Sequence, residues 1–159
     1  MPWPFRRQPT PVVTEQLEPI RIFLMDSDLA GWVRPQSERT TDILQRGVPL
    51  SFLPAGAQPG EWMELATDQI LMLVPPPRTS PRWMRAERQL EQVAIRTGPY
   101  TVTGTAHLRR GQEQDLYLRA SHPFLPLTDA TFATAQDATP HQVETLIVNL
   151  NWVEEFREL

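Results

Sequence analysis

The sequence predicts a mainly β protein made of two tandem repeats. Each repeat reads strand, strand, short helix, strand, strand, and the pair is expected to close as paired small barrels or as one barrel with a pseudo-twofold axis. Three observations carry this reading: apolar residues alternate along short segments, one half of the chain matches the other in order and spacing, and a proline tract separates the halves.

Moving 73 positions along takes Ile20, Ile22, Leu29, Gly31, Asp42 and Ile43 onto Val93, Ile95, Val102, Gly104, Asp115 and Leu116. One residue of slip then brings Phe52-Leu53-Pro54 onto Phe124-Leu125-Pro126, and a longer loop in the second half brings Ile70, Met72 and Val74 onto Leu146, Val148 and Leu150. Gly31, Asp42 and Phe52, with Gly104, Asp115 and Phe124, form the signature of the repeat.

The local grammar follows the same order in both halves. Ile20, Ile22 and Leu24 alternate with Arg21 and Phe23, Asp26-Ser27-Asp28 turns the chain, and Leu29 to Val33 continues as the second arm of a hairpin. In the second half Val93, Ile95 and Thr97 lead to Gly98-Pro99, which suits a tight turn, and residues 101–108 are β-branched and alternating. A short helix is expected over residues 40–46, with Thr40 or Thr41 as cap, Asp42 in the positive first turn and Gly47 as the stop. The Phe-Leu-Pro strand comes next, and a last strand closes each half, over residues 69–74 and 144–152. Pro75-Pro76-Pro77 and Pro81 lack the N–H groups that a ladder or helix needs, so residues 75–82 read as a connector. Residues 83–92 are either weakly helical or a lead into the next strand. The expected divisions are an arm over 1–19, a first repeat over 20–74, the connector, and a second repeat over 83–159.

Composition narrows the chemistry. With no cysteine among 159 residues, disulfide frameworks and thiolate sites are excluded together. All fifteen basic residues are arginines, which excludes a phosphate-loop lysine, a Schiff base and a lysine general base. A formal net charge of -4 argues against broad nucleic-acid affinity, which draws on neutralised phosphates. Mean hydropathy is -0.37 and no apolar run nears the ~18 residues that span a bilayer, so no membrane insertion is expected. No secretory signal follows Arg6-Arg7, and the expected location is the cytoplasm.

The string Leu29-Ala30-Gly31-Trp32-Val33, then Arg39-Thr40-Thr41-Asp42-Ile43-Leu44, then Phe52-Leu53-Pro54 resembles a small β-domain family of bacterial proteins without an assigned activity. The resemblance implies a strand carrying glycine, an Arg-x-Ser/Thr-Asp-x-Leu stretch and a Phe-Leu-Pro strand. The second copy departs from it at Gln112 and Tyr117, which stand where the first has Arg39 and Leu44. The hairpin, glycine and following strand also resemble Sm-like barrels, without their RNA-binding loop residues.

Candidate sites are few. His107, His122 and His141 lack the close spacing of metal ligands, and no metal or other cofactor is expected. Asp42 and Asp115 are the ionisable pair kept in register. They read as helix-start residues, or as paired carboxylates in the cleft of a ligand-binding or hydrolytic barrel. The serines have no nucleophile-elbow context. Two features suit protein binding: Trp3, Phe5, Arg6 and Arg7 in a proline frame, and the segment carrying Leu71 and Leu73, apolar on both faces and therefore in need of a cover from the other repeat or a partner. The sequence thus predicts a non-catalytic adaptor or scaffold, bound to a bacterial assembly or to itself. A nucleic-acid-binding barrel using Arg109, Arg110 and Arg119 is the alternative.

Overall fold

A computed structural model describes residues 16–77, 88–109 and 123–159. Among them the first half supplies five strands: β1 (Glu18–Phe23), β2 (Asp28–Val33), β3 (Leu50–Pro54), β4 (Met63–Leu65) and β5 (Met72–Val74). The helix α1 (Thr40–Gln45) lies between β2 and β3, and a 3-10 turn, Thr67–Gln69, lies between β4 and β5. The second half supplies β6 (Arg88–Thr97), β7 (Tyr100–Arg109), β8 (Phe124–Thr134), β9 (His141–Asn149) and β10 (Val153–Glu158), with a 3-10 turn, Leu150–Trp152, before β10.

All ten strands join one antiparallel sheet in the order β10-β6-β7-β8-β9-β5-β1-β2-β3-β4. The sheet is open, with β10 and β4 at its edges, so the expected barrel closure is corrected. In each run of five the last strand pairs with the first: β5 with β1, and β10 with β6. Each half therefore holds five strands among the described residues, where four are expected. Residues 70–74 and 144–152, expected to be equivalent, belong to neighbouring strands that pair with each other, Met72 opposite Val148 and Leu73 opposite Ile147. The counterpart of β5 in strand order is β10.

The hairpins keep the same register. Ile20 faces Gly31 and Ile22 faces Leu29 in the first; Val93 faces Gly104 and Ile95 faces Val102 in the second. The third strands do not. Gly31 lies opposite Pro54, whereas the ladder beside Gly104 is interrupted by a bulge in β8, where Asp129 has φ 48. The extra residue allows Leu127 and Ala130, an odd spacing apart, to enter one core. Phe124-Leu125-Pro126 accordingly falls before the bulge, facing Asn149, Val148 and Ile147, and does not stand where Phe52-Leu53-Pro54 stands.

Because side chains alternate across a strand, one sheet buries two cores on opposite faces. One gathers Val93, Ile95, Val102, Leu127 and Phe132 of the second half with Phe23, Leu71 and Met72 of the first. The other gathers Ile20, Ile22, Val33, Leu44 and Phe52 of the first half with Phe124 and Ile147 of the second. Consecutive residues of the central strands divide between them, as do Ile22 and Phe23, Met72 and Leu73, Phe124 and Leu125, Ile147 and Val148.

Polar bonds fix the junction. Asn149 is 1% exposed, and its amide nitrogen donates to the Ile70 carbonyl at 2.9 Å while its carbonyl oxygen accepts from the Asn151 N–H at 3.1 Å. The Asn149 backbone N–H donates to the Leu71 carbonyl at 2.9 Å. Helix α1 reaches the second half through Gln45, whose Nε2 donates to the Phe124 carbonyl at 2.9 Å and whose Oε1 accepts from the Phe124 N–H at 3.1 Å. The helix itself starts after Arg39, which makes no side-chain cap bond, so neither Thr40 nor Thr41 caps it; Gly47, with φ 74, closes it as expected.

Leu73 contacts both halves through the ladder and is fully buried. Leu73→Ala should cost about 2–5 kcal/mol and leave a single unfolding transition, read by urea titration with circular dichroism and tryptophan fluorescence. Two separated transitions in the wild type would show that the junction does not couple the halves. A Cβ at Gly31 would collide with the Leu53 carbonyl oxygen, whereas one at Gly104 would meet Leu127 and Ala130 at 3.2 and 3.3 Å. In the same assay Gly31→Ala should destabilise more than Gly104→Ala, the former by about 1–3 kcal/mol; the reverse order would contradict the close approach of β2 and β3.

Candidate functional site

On the first half, residues 29, 31 and 33 of β2 face the core, so Trp32 faces away and is 42% exposed. Its neighbours across the sheet are Pro19 on β1 and Leu53 on β3. Continuing the β3–β4 register, in which Phe52 faces Met63, puts Trp62 beside Leu53. The Arg34 guanidinium, two residues beyond Trp32, lies 3.8 Å from the centre of the Trp62 ring, a cation–π contact. Met63, at the free edge, is 39% exposed. Pro19, Trp32, Leu53 and Trp62 thus form an apolar strip running across four segments, with Trp62 half-buried and Leu53 buried at 9% exposure. Glu64, paired with Ser51, and Glu61 are exposed beside it.

This strip combines tryptophan with the arginine stacked on it, side chains enriched at protein interfaces. It rests on β2 and β3, held close together by the absence of a side chain at Gly31. The signal was available in the alternation of residues 29–33, where a tryptophan falls at the outward position, yet the sequence reading above assigns Trp32, Arg34, Trp62 and Met63 no role.

A second cluster crosses the junction. Phe23 packs edge-on against Tyr100 and Phe132, with centroids at 5.4 and 5.1 Å, and Arg21 lies 5.0 Å from the Phe23 ring while pairing with Asp28 at 3.7 Å. Burial pushes the Tyr100 hydroxyl above its ordinary pKa, Asp28 adds to the shift and Arg21 opposes it. Phe132 in turn stacks on His141 at 5.4 Å, and His141 Nε2 lies 3.1 Å from Asp137 Oδ2. The bond from His141, and then the Thr139 backbone N–H on Oδ1, hold the Asp137 carboxyl below its usual range. These contacts fasten the β8–β9 turn, where Asp137 N–H also donates to Thr134 Oγ1 at 2.9 Å.

The expected site residues are dispersed. Leu71 and Leu73 are fully buried, in different cores, and their cover is the chain's own second half together with β1, which leaves no surface of theirs for a partner. Gly31 and Gly104 hold equivalent hairpin positions. Phe52 and Phe124 are both buried, in one and the same core. Asp42 is exposed in the first turn of α1, while Asp115 lies outside the described residues, as do Trp3, Phe5, Arg6, Arg7, Arg110, Arg119, Gln112, Tyr117 and His122. Arg109 ends β7 opposite Arg88. His107 Nε2 lies 2.7 Å from Thr128 Oγ1, on the face of the second half that also carries Thr101, Thr103 and Thr105. Among the described residues no three His, Asp or Glu side chains gather as a metal site would require, and no helix is long and apolar enough to cross a membrane.

No family model, no curated protein and no solved structure matches this chain.

Because the folded-state pKa of Asp137 is depressed, its contribution to the turn is present above the ordinary aspartate value of about 3.9 and is lost as pH falls through the lower folded value. A carbon-detected NMR titration should find the Asp137 carboxyl titrating below that value, and His141→Ala should raise it. An unchanged Asp137 titration in that variant would exclude the histidine as the cause.

Proposed function

We propose that this chain is a non-catalytic adaptor or scaffold that binds protein through the strip formed by Pro19, Trp32, Leu53 and Trp62. The carrying observation is the outward placement of Trp32, 42% exposed on a sheet, beside the Arg34–Trp62 stack. A rigid aromatic surface gives up little conformational entropy on binding, and exclusion of water from a tryptophan face supplies the kind of energy found at interface hot spots.

The edges of the sheet favour a face over strand addition as the mode of binding. Edge β4 has three residues. Edge β10 carries Glu154, Glu155, Arg157 and Glu158 and is bulged between Val153 and Glu155. Short, charged and bulged edges discourage pairing with another chain. Arg96 holds the charged edge in place through Glu154 at 2.7 Å and Glu155 at 3.3 Å.

On this reading the two halves descend from one five-strand unit, akin to the small bacterial β-domain that the sequence resembles. The repeated strand order and the matching hairpin registers support it. After duplication one outer face kept threonines and the other took tryptophans, which assigns the binding role to the first half.

A photo-crosslinking side chain at Ala30 or Glu64, flanking the strip, and at Thr103 on the opposite face tests the proposal in cell extract. Discrete adducts should form from positions 30 and 64 and not from 103, and Trp32→Ser should remove them, a loss of about 2 kcal/mol or more in binding. Equal adducts from all three positions, or none from 30 and 64, would sink it.

A further inference from the structure

We infer that the two free edges of the sheet, β4 and β10, are the unpaired sides of a joint whose partner is a second copy of this chain, and that Glu64 and Glu155 hold that joint open. The inference concerns the edges alone and stands whether or not the strip binds a partner.

The joint already exists once inside the molecule. In the sheet β10-β6-β7-β8-β9 is followed by β5-β1-β2-β3-β4, so both halves run fifth, first, second, third, fourth, and the junction pairs the fourth strand of the second half with the fifth of the first. Five strands is an odd number and every pairing is antiparallel, so one half is turned over relative to the other. Ile22 and Ile95, at the same hairpin position, accordingly lie in different cores on opposite faces. Two halves restore the starting orientation. A second copy set beside β4 would therefore present its β10 antiparallel, as β5 is presented to β9. Such a contact joins two unlike edges and leaves one of each free, so copies add end to end.

The registers show what stops it. Ile22 pairs with Leu73 and Ile95 with Phe156, while Phe23 pairs with Met72 and Arg96 with Glu155, so Phe156 and Glu155 stand where Leu73 and Met72 do. On the other edge, Trp32 beside Leu53 matches Thr105 beside Thr128. Counting back along β3 and β8 and across to the next strand puts Leu65 and Glu64 where Val148 and Ile147 are. Within the molecule the joint is Met72 opposite Val148 and Leu73 opposite Ile147, all four buried. Between copies the same two rows would set Glu155 opposite Leu65 and Phe156 opposite Glu64. Each row then takes a carboxylate out of water to lie against an apolar side chain, which opposes pairing. Length is no obstacle, since the three residues of β4 are enough for the two rows that the internal joint uses.

Sedimentation velocity on the full chain, with circular dichroism to confirm folding, tests this. Glu64→Ile/Glu155→Met restores both rows at exposed positions, and its mass should rise with concentration in steps of one chain, 18.3 kDa. Wild type should show no such ladder. Glu64→Ile and Glu155→Met taken singly each keep one carboxylate in any joint they form and should associate far more weakly. Mixed together they complete one joint per pair, β4 of the first variant with β10 of the second, and should give pairs without longer chains. Glu61→Ile/Glu144→Met, which adds apolar groups at exposed positions outside these rows, should stay at the mass of one chain. A folded double variant that does not associate would overturn the inference, and the mixture of single variants gives the same decision should the double variant fail to fold. Self-association of Glu64→Ile as strong as that of the double variant would also overturn it, by assigning the contact to β4 against β4, as would equal association of the Glu61/Glu144 variant.

Discussion

The structure depends on a three-residue strand. Met72–Val74 is flanked by β1 on one side and β9 on the other, and through it ten strands become one sheet. Its ladder rows run without a polar break: Phe23, Met72, Val148 and Leu125 on one face, and Leu29, Ile22, Leu73 and Ile147 on the other. A strand with both faces covered cannot alternate polar and apolar residues, which is why residues 70–74 read as an unbroken apolar run. At the start of that run the Asn149 side-chain amide donates to the Ile70 carbonyl and its backbone N–H to the Leu71 carbonyl, which keeps both satisfied where water is excluded.

The same constraint explains why neither half is self-contained. A five-strand unit of this size buries too little apolar surface to be robust alone, and each core here borrows from the other half: Phe23, Leu71 and Met72 complete one, and Phe124 and Ile147 complete the other. Gln45 adds a directed tie, its amide pairing both backbone groups of Phe124 as a neighbouring strand would. Trp152 adds another, donating from Nε1 to the Asp68 carbonyl at 2.6 Å. The second hairpin is also seated on the first half, since a Cβ at Gly98 would strike Leu71 Cδ1 at 2.8 Å and Met25 Sδ at 3.2 Å.

How much of this the sequence disclosed follows from how strongly each element is patterned. The hairpins were legible, down to the glycine opposite Ile20 and Val93, because period-two alternation over antiparallel arms with one buried face fixes their register. Strand β4 was not, being three residues long, and β10 was hidden because its bulge breaks the alternation between Val153 and Phe156. The equation of residues 70–74 with 146–150 failed for a physical reason: both are apolar because they lie side by side at the centre, not because they descend from the same strand position. The two Phe-Leu-Pro segments do not match either: Pro54 lies opposite Gly31, whereas residues 128–131 lie beside Gly104 and Phe124-Leu125-Pro126 stands before the β7–β8 register, which ends at Leu127. The candidate site was less legible still. Leu71 and Leu73 were apolar for the core, and the exposed Trp32 lay within a string valued for its glycine.

Placing the two cores on opposite faces of one sheet decides which surface each half presents to solvent. The outer face of the first half is continuous with the buried face of the second: passing from Met72 and Val74 to Arg21 and Phe23, then to Ala30 and Trp32, the same side of the sheet goes from core to solvent. Arg21 marks that boundary, its guanidinium lying over Phe23 while its side chain remains 44% exposed. Beyond it, apolar residues are set on a surface already rigidified by the core behind Gly31 and Val33, so placing tryptophan there orders no new backbone. The corresponding face of the second half adjoins the other core at Ile147 and continues through Thr128, Thr105 and Thr103, whose hydroxyls are engaged with His107 and Gln92 at 2.7 and 2.6 Å in the first two cases. Two faces of equal rank in the fold therefore differ in chemistry, one hydroxylated and internally bonded, the other aromatic and solvent-facing at Trp32.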